Sequence, residues 1–200
     1  FVEYMCQAFP DKCKGPFYYK RYGTTAMDVI IDKTLTLVEC VEPHIEEYNE
    51  EGTELIETHF CTLAEDAIRR DYTCNALYKN LHTGKVLDPC GKGIADLKNH
   101  YLRTAGDPHE IFKQDPVRML RGIRFKHQKN FKLDPLAWQA IIDQHELIVN
   151  SAPTRMRDEV HKMIKSKDMA GAVEDLYKCG LMPFLFPGLE QYMDDNVKAN

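Results

Sequence analysis

Two hundred residues are enough for one ordinary domain or two small ones. The 44% hydrophobic and 28% charged fractions, with a single Trp, match an ordinary soluble composition, and no run approaches the ~20 apolar residues of a membrane helix. A net charge of −5 speaks against indiscriminate binding to nucleic acid.

Val2 to Phe9 reads as the end of a helix closed by Pro10, and Lys14-Gly15-Pro16 as a turn. Tyr22 to Ile31 reads as a strand, Asp32-Lys33 as a turn and Thr34 to Val41 as a second, alternating strand, together a hairpin that Pro43 ends. The glutamate-rich stretch that follows, with Gly52 in it, is expected to be a mobile loop. Thr62 with Glu65 three residues on forms a capping-box pattern, predicting a helix that carries Ala67, Ile68, Ala76 and Leu77. A short strand at Lys85-Val86-Leu87 leads into turn chemistry at Asp88 to Gly93. From Asp107 onward the pattern is helical. Pro116 suits a first helical position, with Met119, Leu120 and Ile123 as an apolar stripe. Further helices start at Asp134-Pro135 (burying Leu136, Ala140, Ile141) and Pro153 (Met156, Val160, Met163, Ile164), and a last one runs from Ala170 to Cys179 before Gly180. The predicted fold class is α+β: a small β-sheet with helices, then an all-α part, with the boundary near Thr104 to Pro108.

The seven cysteines are odd in number and no two have C-x-x-C spacing, so neither a zinc site nor a disulfide framework is indicated. Reduced thiols point to the cytoplasm. The N-terminus has neither the basic start nor the apolar stretch of a secretory signal. It also lacks an initiator Met, as expected of a chain cut from something longer. The modest net charge hides an asymmetry. From Glu39 to Asp66 there is no Lys or Arg, whereas Lys113 to Lys132 holds seven cations against Asp115 alone. Such a block is either a solvated face or a local surface for phosphates.

Two stretches carry chemistry. Arg69-Arg70-Asp71 joins paired guanidiniums, suited to phosphate, to an acid that accepts from hydroxyls. Asp115 and Arg118 stand three apart at a helix start, so their side chains can lie together. A carboxylate only accepts hydrogen bonds and a guanidinium only donates them. The two together match a base edge that offers an amino group beside a bare ring nitrogen. Cytosine and adenine have that edge; uracil and guanine present an N–H where the arginine needs an acceptor. Arg118, Arg121 and Arg124 recur every three residues as a basic ridge suited to phosphates. Read without context, these are also ordinary surface ion pairs.

In context they are recognisable. Arg69-Arg70-Asp71-Tyr72-Thr73-Cys74-Asn75-Ala76 resembles the R-R-D-F-T-I-N-A motif of tRNA nucleotidyltransferases (CCA-adding enzymes) and bacterial poly(A) polymerases. Asp88-Pro89, Gly91, Asp96-Leu97-Lys98 and Leu102-Arg103-Thr104 resemble that family's hinge between head and neck. Gln114 to Arg121 with Ile123-Arg124-Phe125 resembles its E-D-P-x-R-M-L-R-x-I-R-F motif, and Arg155 to Glu159 and Gly180 to Pro187 resemble later helical segments. The resemblance implies a partial nucleotidyltransferase head over residues 1–105 and a helical neck with the start of a body over 106–200. It implies that Arg70, Asp71, Asn75, Asp115, Arg118, Arg121 and Arg124 bind the nucleotide, with Asp71 near the ribose hydroxyls, Asp115 and Arg118 reading the base, and Arg121 and Arg124 on the triphosphate or RNA backbone. Asp88, Gly91, Asp96 and Arg103 would form the hinge.

The implied reaction is template-independent addition of CTP and ATP to an RNA 3′ end, above all the tRNA 3′ end, with Mg²⁺ in the intact enzyme. Poly(A) addition uses nearly the same motifs. Glu39 falls where the family has an acid on a strand beside the metal site. The family's Asp-x-Asp metal pair would precede Phe1, and Asp28 and Asp32, four apart on a strand, do not replace it. The chain alone is therefore expected to bind nucleotide weakly and not to turn over; no metal ligand is assigned in it. Two other classes stay open: a non-catalytic RNA- or nucleotide-binding module, and a helical interaction protein that uses Leu181 to Phe186 as an apolar contact surface. Two departures from the pattern are Gln114, where the family usually has Glu, and an extra residue in Gly91-Lys92-Gly93.

Overall fold

The computed structural model describes residues 1–19, 23–48 and 55–193, and divides into two compact units, Phe1–Thr62 and Leu63–Asn200. The expected change from head to neck at 104–108 thus falls inside the second unit.

The first unit is a three-stranded antiparallel sheet carrying one helix. Helix α1 (Val2–Ala8) precedes β1 (Cys13–Tyr19), β2 (Thr24–Ile31) and β3 (Thr34–Val41), in the order β1-β2-β3. The hairpin read from sequence is present. Its two-residue turn holds Asp32 and Lys33 at φ 48° and 65°, the doubly left-handed geometry that matches strand twist. The turn expected at Lys14-Gly15-Pro16 lies instead inside β1. The register with β2 shifts between Lys14 and Phe17, and Gly15 takes φ 139°, so a bulge absorbs the two residues that elsewhere break a strand. The glutamate-rich loop is also corrected: β4 (His44–Tyr48) and β5 (Leu55–Phe60) pair antiparallel, and only 49–54 lie outside the described residues. Ile45, Ile56 and Phe60 supply the β-formers that the glutamates obscure. The core here is small, with Val2, Cys13 and Met27 buried and Met5, Cys6, Val29, Val38 and Cys40 packed on them.

The second unit is mainly helical. It contains α2 (Leu63–Ile68), a 3₁₀ turn at Thr73–Asn75, the short pair β6 (Tyr78–Lys79) and β7 (Val86–Leu87), then α3 (Gly93–Lys98) and β8 (Tyr101–Leu102). It continues with α4 (Pro108–Gln114), α5 (Val117–Lys129), β9 (Lys132–Leu133), α6 (Pro135–Gln144), α7 (Pro153–Ile164), α8 (Met169–Lys178) and α9 (Met182–Leu185). The helix expected to reach Leu77 stops at Ile68. Beyond it the Thr73 N–H bonds the Arg103 carbonyl at 2.9 Å and Tyr72 bridges Thr104, so residues 71–73 are held against the strand end at 103–104 and cannot stay helical. Asp107 and Asp134 cap α4 and α6, each followed by proline. Pro116 sits at the cap of α5, one place earlier than read.

Helix α5 is the central element, and Met119, Leu120 and Ile123 are fully buried with Tyr72, Phe112, Ile141, Met163, Leu176 and Leu181 around them. Two residues assigned to buried stripes are not: Leu136 is 71% and Ile164 56% exposed, each at a helix end where the stripe runs past its neighbours. Leu181 and Met182, read as an apolar contact surface, lie in the core instead. Charged pairs clip the helices to α5. Arg124 Nε is 2.6 Å from Glu159 on α7, and both His127 ring nitrogens lie 2.6 Å from carboxylates, Nδ1 from Asp168 and Nε2 from Asp175, which Lys126 also reaches at 2.6 Å.

A Cβ on Gly122 would stand 2.3 Å from Tyr72 Oη, and Tyr72 is fully buried with its hydroxyl donating to the Arg118 carbonyl at 2.8 Å. Gly122→Ala gains about 1 kcal/mol of helix propensity; overpacking at a ring with nowhere to go outweighs it, for a net loss of roughly 1–3 kcal/mol in urea denaturation. His127 makes stability depend on pH. Burial opposes its protonation, but the hydrogen bonds it donates to Asp175 and Asp168 raise its pKa above 6.5. A raised pKa gives stability that is complete below 6.5 and lost as pH rises through the folded value. Asp175 and Asp168 are lowered from 3.8, Asp175 by the His127 and Lys126 hydrogen bonds against burial and Asp168 first by His127, so their share is lost only as pH falls below that range. The stability gap between wild type and His127→Gln is therefore widest between about pH 4.5 and 6.5 and narrows toward alkaline pH in paired thermal melts.

Candidate nucleotide-binding site

The end of α2, the 3₁₀ turn after it and the start of α5 enclose a cleft of about 360 Å³ lined by Arg69, Arg70, Asp71, Asn75, Asp115, Arg118 and Arg121. Six of these are residues picked out from the sequence as nucleotide contacts, drawn from segments some forty positions apart. The lining holds four guanidiniums against two carboxylates, so it attracts anions within a protein of net charge −5.

Each cation is held by a partner that orients it. Asp66, 2% exposed, receives Arg69 through Nε at 3.0 Å and Nη2 at 2.6 Å, and Arg70 through Nε at 3.0 Å and Nη2 at 2.8 Å. The Tyr78 hydroxyl donates to the same carboxylate, and the Arg70 guanidinium lies 5.1 Å over the Tyr78 ring. Burial works against ionising Asp66, but Tyr78 and the two arginines overcome it and its pKa is lowered; burial likewise opposes the Arg70 charge, and Asp66 raises its pKa all the same. The sequence reading passed over Asp66. Its signal was available, an acid three and four residues before paired arginines on one helical turn.

Asp71 is tied from several sides. The Tyr72 N–H donates to its Oδ1 at 2.8 Å, Arg121 reaches its Oδ2 through Nε at 2.7 Å and Nη2 at 2.6 Å, and Asn75 Nδ2 lies 3.4 Å from Oδ1. Asp115 and Arg118 meet as their spacing suggested, with Arg118 Nε 3.8 Å from Asp115 Oδ2. That is an ion-pair distance and too long for a hydrogen bond. Arg118 Nη1 donates to the Ile111 carbonyl at 3.2 Å and to Gln114 Oε1 at 3.4 Å, so the amide at position 114 still orients the guanidinium without a charge. Burial lowers the Arg118 pKa; Asp115 and Asp71 act against it, and Arg69 and Arg121 with it. A desolvated guanidinium of this kind gains more from an acceptor than one in water.

Arg124 is not in the cleft. It is 8% exposed and paired with Glu159, with Nη1 donating to Gln128 at 2.8 Å. The expected ridge fails because three residues turn a helix about 60° short of a full turn, so two such steps carry Arg124 roughly 120° away from Arg118. Of the residues assigned to a hinge, Asp88 accepts from the Gly93 and Ile94 N–H groups at 3.1 and 3.0 Å and so caps α3, and Gly91 has φ 69°. Asp96 accepts from Thr73 Oγ1 at 2.7 Å and from Arg103 Nε at 3.1 Å, and Arg103 Nη1 is 3.4 Å from Asp134. Glu39 lies on β3 in the first unit, exposed and opposite Ala26, with Asp28 two residues along β2 on the same face. Among the described residues no three His, Cys, Asp or Glu side chains converge as a metal would require.

Residues 2–103 match the poly(A) polymerase head domain, and residues 130–193 match a probable RNA- and SrmB-binding region of polymerase A. The chain is 46% identical over 101 residues to a CCA-adding enzyme of Lactobacillus helveticus, covering 50% of this chain and 25% of that protein. It is 37% identical over 145 residues to poly(A) polymerase I of Haemophilus influenzae, covering 72% of this chain and 32% of that protein. A crystal structure of the Bacillus stearothermophilus CCA-adding enzyme in complex with CTP superimposes with a TM-score of 0.72 at 27% identity, over 88% of this chain and 42% of that one. The chain thus spans a quarter to a third of the length of these two curated relatives. The match over residues 2–103 and the fold agree, and the chain belongs to the poly(A) polymerase head-domain family.

Proposed function

We propose that this chain is the nucleotide-selecting part of a template-independent RNA nucleotidyltransferase that adds C and A to the tRNA 3′ end. The observation that carries this is the Asp115–Arg118 pair, held apart as one acceptor and one donor in a cleft that also presents Arg69, Arg70 and Arg121. Asp115 would take the amino group of cytosine or adenine while Arg118 donates to the adjacent ring nitrogen; uracil and guanine reverse both demands. Arg69 and Arg70, braced on Asp66, would hold the triphosphate, and Asp71, braced by Arg121, would accept from the ribose hydroxyls. Residues 1–105 would be the partial head and 106–200 the neck and start of the body, with Asp88, Gly91, Asp96 and Arg103 between them. Mg²⁺ would serve in the intact protein, with Glu39 the residue of this chain nearest to that role in the family pattern. A cytoplasmic location goes with this reading, and no helix of the described residues is long and apolar enough to cross a membrane.

The similarity to a poly(A) polymerase over 72% of the chain favours ATP-only tailing as the second reading. The intact protein that contains this chain, incubated with Mg²⁺, a tRNA lacking its terminal CCA and one labelled nucleotide at a time, is expected to incorporate CTP and then ATP. ATP-only extension supports the second reading, and no extension with any nucleotide overturns both.

Two kinds of substitution separate the parts of the cleft by isothermal titration with CTP, ATP, UTP and GTP. Arg118→Ala is expected to cost CTP and ATP about tenfold or more in affinity and to leave UTP and GTP nearly unchanged, the size of one good paired base contact. Asp66→Asn removes the charge that braces two phosphate-binding arginines. It should weaken all four nucleotides alike, by a few-fold, without changing the preference.

A further inference from the structure

The carboxylate assigned to base reading is already engaged by a cation from another helix. Arg155, in the first turn of α7, bonds both oxygens of Asp115, Nη1 to Oδ1 at 3.0 Å and Nη2 to Oδ2 at 2.7 Å. This is the parallel two-bond fork that guanidiniums make and ammoniums cannot. The Arg155 side chain is 55% exposed, and the helix that carries it is well anchored. Pro153 opens α7, Met163 is fully buried in the core, and Glu159, four residues on from Arg155 and on the same face, is locked to Arg124 of α5 at 2.6 Å. Two ion pairs of opposite sense, Asp115–Arg155 and Arg124–Glu159, therefore fix α7 beside the cleft.

Two guanidiniums stand around one carboxylate, and the geometry shows which one holds it. Arg155 makes two short hydrogen bonds, whereas Arg118 stays 3.8 Å off and turns its Nη1 to Ile111 and Gln114. An ionised carboxylate has about four acceptor positions; the fork of Arg155 uses two, leaving room for an amino group. We propose that Arg155 is the specificity-determining positioning residue of this cleft, holding Asp115 off Arg118 so that the acceptor and donor stay open for a base. Without it, Asp115 closes onto Arg118 as a satisfied pair, and an incoming cytosine or adenine must break that pair to be read. Uracil and guanine gain nothing from the open arrangement and lose nothing when it closes.

The proposal rests on Asp115 and Arg118 reading the base, and the test distinguishes the two ideas. Dissociation constants of the 200-residue chain for CTP, ATP, UTP and GTP are measured for wild type, Arg155→Ala, Arg155→Lys and Asp115→Asn. Arg155→Ala is expected to weaken CTP and ATP about tenfold while UTP and GTP stay unchanged, and Arg155→Lys, a point charge without the fork, to recover only part of the preference. Thermal melts accompany each variant; if Arg155→Ala does not fold, Arg155→Gln takes its place with the same expectation. A uniform loss over all four nucleotides shows a structural role and overturns the proposal. If Asp115→Asn abolishes the preference and Arg155→Ala keeps it, the proposal falls and base reading by Asp115 stands. If neither variant changes the preference, or the wild type has none, both fall.

Discussion

A phenol ring lying against a glycine sets the distance between the two walls of the cleft. Tyr72 is fully buried against α5, where Gly122 leaves the space for its hydroxyl, and that hydroxyl bonds the backbone of Arg118. The neighbour of this ring is Asp71, and a turn of α5 away is Arg121; their 2.6 Å contact spans fifty positions of sequence. Because the ring and the helix backbone are parts of the packed core, Asp71, Arg118 and Arg121 inherit fixed positions. A packing contact with no chemistry of its own is what preorganises the polar groups.

Around this anchor the unit uses carboxylates to aim cations rather than to neutralise them. Asp66 serves Arg69 and Arg70, Asp71 serves Arg121, and Asp115 is served by Arg155. Each pair spends part of its donor capacity on its brace and leaves the rest turned to the cleft. Guanidiniums suit this role because they stay charged when partly buried and present several donors in one plane. Away from the cleft the same pairing does structural work only: Arg124 with Glu159 and His127 with Asp168 and Asp175 clip α7 and α8 to α5. Chemically similar ion pairs thus have different uses according to whether a cavity adjoins them.

Family membership rests on the match over residues 2–103, which includes the arginine pair and Asp71 but not Asp115, Arg118 or Arg155. The fold brings Asp115 and Arg118 to the same cleft, and Arg155 reaches it through Asp115. At the edge of the cleft the amide oxygen of Gln114 accepts from Arg118 at 3.4 Å, so a neutral side chain takes part in orienting the guanidinium.

Local rules were enough wherever the deciding contacts lie within a turn or two. The hairpin with its Asp32-Lys33 turn, the Asp-Pro helix starts at 107 and 134, the apolar stripe of α5 and the meeting of Asp115 with Arg118 were all legible, since each depends on neighbours a few residues away. The resemblance added the grouping of Arg70, Asp71 and Asn75 with α5. What the sequence by itself could not decide was which face of a helix another element would claim. Arg124 reads like Arg118 and Arg121, but helical drift turns it toward Glu159 of α7; Leu181 and Met182 look like a sticky surface, but α8 and α9 fold them inward; α2 ends at Ile68 because Arg103 and Thr104 capture the next strand of backbone. The grip of Arg155 on Asp115 belongs to the same group. Forty residues separate them, and only the packing of α7 on α5 brings a guanidinium to that carboxylate.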